Sequence, residues 1–169
     1  MNGRFFLDTN IFVCSFDASS PKKAAQARKL IRSAIQTRGG IVSYQVLQEF
    51  FNVALRRFSK PMSGVDAEQY LSTTFRPLLS AHSSQALYGE ALRIGARFQL
   101  PWYDSLIAVV ASAIEGQCGV LYSEDFQDGQ QIGSVTISKP LCLTEGHPWK
   151  SRIAGEENNG SEGASSKPF

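Results

Sequence analysis

Arg4-Phe5-Phe6-Leu7-Asp8-Thr9-Asn10 is a short apolar run that stops at an acid and two turn-forming polar residues. It reads as a buried strand followed by a turn, with Asp8 at the strand's carboxyl end. Downstream, Ser19-Ser20-Pro21 is a helix start, with Pro21 at the first helical position. A helix from Lys22 to Arg38 follows, and Gly39-Gly40 stops it. Ile41-Val42-Ser43 reads as a second strand. Val46, Leu47, Phe50, Phe51, Ala54, Leu55 and Phe58 then form one stripe of a helix over Tyr44–Phe58, with Glu49 just beside it. A helix over Val65–Phe75, a third strand beginning at Leu78-Leu79 and a helix capped by Ser83-Ser84 come next. A helix entered at Asp104 reaches Ile114, and strands at Gly119–Tyr122 and Val135–Ile137 complete the pattern. Strands alternating with helices predict a three-layer α/β fold around a mainly parallel sheet of about five strands. Residues 1–148 are expected to form one domain. Residues 149–169 lose all apolar patterning and are expected to be a disordered tail, or an arm that orders on a partner.

The 169 residues, 43% hydrophobic and 19% charged, suit one globular domain. Apolar runs such as Ile107–Ala111 fall far short of the roughly 20 residues of a membrane span. The apolar stretch before Asp8 is too short for a signal peptide, so a cytoplasmic protein without a membrane partner is expected. Cys14, Cys118 and Cys142 show neither close pairing nor metal-ligand spacing, and read as free thiols in a reducing compartment. His82 and His147 stand apart from every cysteine, which removes a zinc site. The formal net charge of +2 hides an asymmetry: residues 1–60 carry ten Lys/Arg against three acids, and residues 61–150 carry five against nine. A basic first portion suits a polyanionic partner, although solvated helix faces explain the same charges equally well.

Four acids stand where chemistry is expected. Asp8 ends the first strand, and ligands of open α/β sheets bind beyond the carboxyl ends of the strands. Asp125, in Tyr122-Ser123-Glu124-Asp125-Phe126-Gln127-Asp128, stands in the same relation to the fourth strand, so the two should share a sheet edge. Glu124 and Asp125 are adjacent and will diverge, so only one of them, or Asp128, belongs to a site. Asp104 has the ordinary alternative of capping its helix, Asp8 or Asn10 that of capping the helix after the first strand, and Glu49 that of an exposed boundary residue. Gathered together, the carboxylates would repel, and a hard divalent cation such as Mg²⁺ or Mn²⁺ would relieve the repulsion. With no zinc set, Cys–His pair or glycine-rich phosphate loop present, metal-assisted hydrolysis is the chemistry left.

Phe6-Leu7-Asp8-Thr9-Asn10-Ile11, Gln48-Glu49-Phe50, Tyr103-Asp104-Ser105-Leu106 and Ser123-Glu124-Asp125-Phe126 occur in the order and spacing of a PIN domain. The chain resembles the VapC-like PIN ribonucleases of bacterial toxin–antitoxin pairs over about residues 4–143, which leaves the tail unexplained. The resemblance implies a Rossmann-like fold and Mg²⁺- or Mn²⁺-dependent endonucleolytic cleavage of RNA. By motif, Asp8, Glu49 and Asp104 match the acidic triad and Asp125 the fourth acid, all four as catalytic metal ligands. Asn10 and Ser123 match auxiliary positions, Asn10 holding the turn and Ser123 offering a hydroxyl near the metal. Lys22, Lys23, Arg28 and Arg56 are expected to hold the RNA backbone. A cognate antitoxin and a homodimer are implied by the resemblance alone. The alternatives are a catalytically weak RNA- or protein-binding PIN domain, and a phosphotransferase with Asp8 as nucleophile. The second wants another Asp two positions on, where this chain has Asn10.

Overall fold

The computed structural model describes residues 3–81, 84–98 and 113–141. Strand β1 (Phe5–Leu7) leads directly into a short helix α1 (Thr9–Cys14), and α2 (Pro21–Thr37) returns the chain to β2 (Gly40–Ser43). Helix α3 (Tyr44–Ala54) and α4 (Gly64–Tyr70) follow, then a π-helical turn over Leu71–Phe75, β3 (Leu79–Ala81), α5 (Gln85–Phe98), β4 (Val120–Tyr122), β5 (Gln131–Ile132) and β6 (Val135–Ser138). The six strands lie in the order β3-β2-β1-β4-β6-β5. Every pairing is parallel except β5 with β6.

This is the mixed α/β, mainly parallel, Rossmann-like sheet expected, with six strands in place of about five. The additional strand, β5, is two residues long, too short for a periodic signal. It folds back on β6 through a tight turn in which Gly133 takes φ +61°.

Strand order decides where a site forms. The chain builds outward from β1 through β2 to β3, then crosses to the other side of β1 to lay down β4. The carboxyl ends of β1 and β4 therefore flank the point where the winding reverses, which is where open α/β sheets leave a crevice. Asp8 follows β1, and Ser123 to Asp125 follow β4.

Three local readings are corrected. Gly39-Gly40 does not stop α2; Arg38 itself takes the left-handed conformation, φ 55°, and its N–H bonds to Ile35. Gly40 belongs to β2, where a Cβ would lie 2.3 Å from that of Ala34, so glycine lets α2 settle onto the sheet. Helix α3 ends at Ala54, where Arg56 N–H bonds three residues back to Val53 O at 3.3 Å and Met62 N–H takes Ala54 O at 2.9 Å. The helix expected over Val65–Phe75 widens at its end, where Arg76 N–H bonds to Leu71 O at 2.9 Å. The wider turn lets Tyr70 and Phe75, five residues apart, both face Phe50.

Phe50 is fully buried and stacks on Tyr70 at 5.1 Å, while Phe12 meets Phe75 at 4.8 Å. Phe16 and Phe58 extend the aromatic cluster. It joins α1, α3 and the π-helical turn, and so fixes α3 against the start of α1. The start of the helix entered at Asp104, together with His82, Cys142, His147 and the tail over 149–169, lies outside the described residues, while residues 113–115 at its end are helical.

Candidate functional site

Asp8 is 2% exposed, and its carboxylate is the hub of the site. It ends β1 and caps α1, accepting from Thr9 N at 2.6 Å through Oδ1. Its Oδ2 accepts from Asn10 Nδ2 at 2.8 Å and from Ser123 Oγ at 2.5 Å. The capping role and the central position thus coexist in one residue, since a carboxylate has two oxygens to share.

Asn10 and Ser123 tie the two strand ends together. Asn10 Nδ2 also donates to Ser123 Oγ at 3.2 Å, and its Oδ1 accepts from Glu124 N at 3.3 Å. Ser123 Oγ accepts in turn from Asp125 N at 3.2 Å, fixing the backbone that carries the next acid.

Adjacent Glu124 and Asp125 diverge. Glu124 is 6% exposed and accepts from Leu141 N at 2.9 Å, a bond that anchors the segment after β6. Asp128 accepts from Lys139 N at 2.8 Å, across the same hairpin region. Asp125 is the acid of this loop whose charge acts on Asp8.

Glu49 comes from the other neighbour of β1. Ser43 ends β2 and caps α3, its Oγ accepting from Val46 N at 3.5 Å, which sets Glu49 in the second turn. Thr9 Oγ1 donates to Glu49 Oε2 and Gln45 Nε2 donates to Glu49 Oε1, each at 3.0 Å. Sequence reading passed over both partners. Their traces were the adjacency of Thr9 to Asp8 and the i, i+4 spacing of Gln45 to Glu49.

The electrostatics register this convergence. Burial pushes the Asp8 carboxyl from its ordinary 3.8 up to about 7, helped by the Asp125 charge and, less, by Glu49; the bonds from Ser123 and Thr9 pull the other way. Among the described residues no three acids or other ligating side chains close into a complete metal set. Asp104, the remaining expected ligand, lies outside them. The donors that are present still fit a hard cation: they are all oxygens, and burial, with the charges of Asp125 and Glu49 adding to it, disfavours the ionised form of Asp8.

The expected RNA-holding residues lie on α2 and beyond the end of α3. Lys22 and Lys23 begin α2, Lys22 exposed and Lys23 half-buried. Arg28 Nη1 donates to Ser15 O at 2.6 Å, bracing the turn after α1. Arg56 is exposed beyond the end of α3.

The model of the PIN domain family matches residues 5–127, well over half of the chain. No curated protein matches it. Among solved structures, the crystal structure of VapBC2 from Rickettsia felis bound to a DNA fragment from their promoter has a similar fold, with a TM-score of 0.55 and 13% sequence identity over 79% of this chain and 96% of that one. No described helix is long and apolar enough to cross a membrane. The acids at the β1 and β4 ends, the α/β sheet and the family match agree, and the chain belongs to the PIN domain family, whose members are generally nucleases.

Proposed function

We propose that this chain is a Mg²⁺- or Mn²⁺-dependent endoribonuclease that hydrolyses RNA phosphodiester bonds as the toxin of a type II toxin–antitoxin pair, acting in the cytoplasm. The observation that carries the reading is a buried Asp8 carboxylate tied through Ser123 to the loop that bears Asp125 and through Thr9 to Glu49. Burial, with those neighbouring charges adding to it, disfavours the ionised form, and a cation relieves that cost.

Asp8, Glu49, Asp104 and Asp125 would hold the metal. When bound, the metal supplies an activated water and neutralises charge developing on the phosphate. The chain's own residues do the rest. Asn10 and Ser123 keep Asp8 and Asp125 at one sheet edge, Ser123 with a hydroxyl at the carboxylates. A carboxylate of the set orients the attacking water and accepts its proton. Lys22, Lys23, Arg28 and Arg56 hold the phosphate backbone without reading sequence.

A cognate antitoxin and a second copy of the chain complete the reading. An apolar groove of about 810 Å³ between α2 and Tyr70, lined by Phe16, Ala24, Ile31, Ile35 and Tyr70 with Arg32 among its charged residues, suits an amphipathic segment of such a partner.

RNA cleavage by the full chain tests the reading, with Mn²⁺ or EDTA, for wild type, Asp8→Asn and Asp104→Asn. Metal-dependent cleavage lost in both variants is expected. Cleavage that survives EDTA, or that both variants retain, overturns it.

A further inference from the structure

Glu49 is the acid of the site whose two carboxylate oxygens are each held by a different neighbouring side chain. Thr9 Oγ1 donates to Oε2 and Gln45 Nε2 to Oε1, both at 3.0 Å. Thr9 also donates its backbone N–H to Asp8 Oδ1 at 2.6 Å. One residue therefore bridges two carboxylates that come from different elements, the start of α1 and the second turn of α3. Gln45 stands one helical turn before Glu49 on α3, the spacing at which two side chains share a face. Thr9 is 5% exposed, so water competes little for its hydroxyl.

We infer that Thr9 and Gln45 are positioning residues that clamp the Glu49 carboxylate in one orientation beside Asp8 for binding a divalent cation, an inference that rests on the metal-dependent reading. A glutamate reaches its site through three rotatable bonds, and an unheld carboxylate would visit many rotamers before meeting a cation. The two hydrogen bonds remove that freedom. Each uses one lone pair of its oxygen, and a carboxylate oxygen has a second to offer. Thr9 and Gln45 do not themselves ligate. They act through Glu49, as groups that orient metal-binding carboxylates do elsewhere.

The test reads metal affinity directly, by calorimetric titration of the full chain with Mn²⁺ and no RNA. Thr9→Val removes the hydroxyl with little change of shape, Gln45→Leu removes the amide, and Thr9→Ser restores the donor. Thr9→Val and Gln45→Leu are expected to weaken Mn²⁺ binding by about tenfold each, with Thr9→Ser close to wild type. In a Glu49→Ala background, itself weakened at least as far, both substitutions should add nothing, because their effect runs through that carboxylate. Unfolding midpoints in EDTA identify any variant that does not fold; Gln45→Leu, on a half-buried position, carries the test if Thr9→Val does not. Wild-type affinity in Thr9→Val and Gln45→Leu, beside a weakened Glu49→Ala, overturns the clamp and leaves the metal reading standing. A tenfold loss that persists without Glu49 also overturns it. A wild-type chain that binds no Mn²⁺ overturns the metal reading, and the clamp with it.

Discussion

At Asp8, a carboxyl raised to about 7 makes the metal-free protein sensitive to pH in a defined direction. The folded state holds its proton more tightly than the unfolded chain, so stability falls as pH rises from about 4 to about 7 and levels off above that. Asp125 and Glu49 are the charges facing it. In EDTA, Asp8→Asn should change the unfolding temperature least at pH 4 and raise it at pH 8 by several degrees relative to that, on the order of 1–3 kcal/mol. Wild type and variant showing the same pH profile would refute this account. The buried thiols give a second expectation at this scale. Burial pushes Cys14 up to about 12 and Cys118 up to about 11. At pH 8 iodoacetamide should therefore modify neither residue in the native chain and both in denaturant, read by mass spectrometry of the peptides.

At the scale of elements, the aromatic cluster positions Glu49 and the glycine in β2 seats α2. Phe50→Ala should cost about 3–5 kcal/mol in urea denaturation, because rings on α1 and the π-helical turn close on that one side chain. Gly40→Ala should cost about 1–3 kcal/mol, since the added methyl meets Ala34 at 2.3 Å, and Ala34→Gly in the same chain should recover part of the loss. Absence of that recovery would place the cost elsewhere. The elements themselves were largely legible. Ser84 caps α5 as its sequence suggests, with Leu87 N–H on Ser84 Oγ at 3.0 Å, and Pro21 opens α2. The misread ends are where the chain departs from regular helix geometry without a glycine or proline to mark it: Arg38 turns left-handed, and the turn after Leu71 widens.

Across the whole molecule, the excess of base over acid in residues 1–60 bears on RNA affinity, not on cleavage chemistry. In an Asp8→Asn background, Lys22→Gln with Lys23→Gln should weaken binding of single-stranded RNA severalfold, similarly for different sequences. The slope of log affinity against log salt should fall by about 0.7 for each phosphate that is no longer neutralised. An unchanged slope, measured by fluorescence anisotropy, would remove these residues from the RNA path.

The sequence by itself determined the α/β alternation, the strand ends at which Asp8 and Asp125 stand, and the motif register that points to the PIN family. Those features are local or periodic, and the period of apolar residues is written directly in the chain. Only the tertiary structure decided that β4 returns beside β1, that Glu124 turns away to Leu141 while Asp125 acts on Asp8, and that Thr9 and Gln45 hold Glu49. Apart from the one-turn spacing of Gln45 to Glu49, each of these joins residues distant in sequence or chooses between two oxygen-bearing neighbours. Such a choice is made by which donors the folded chain brings within about 3 Å, a distance no residue order specifies.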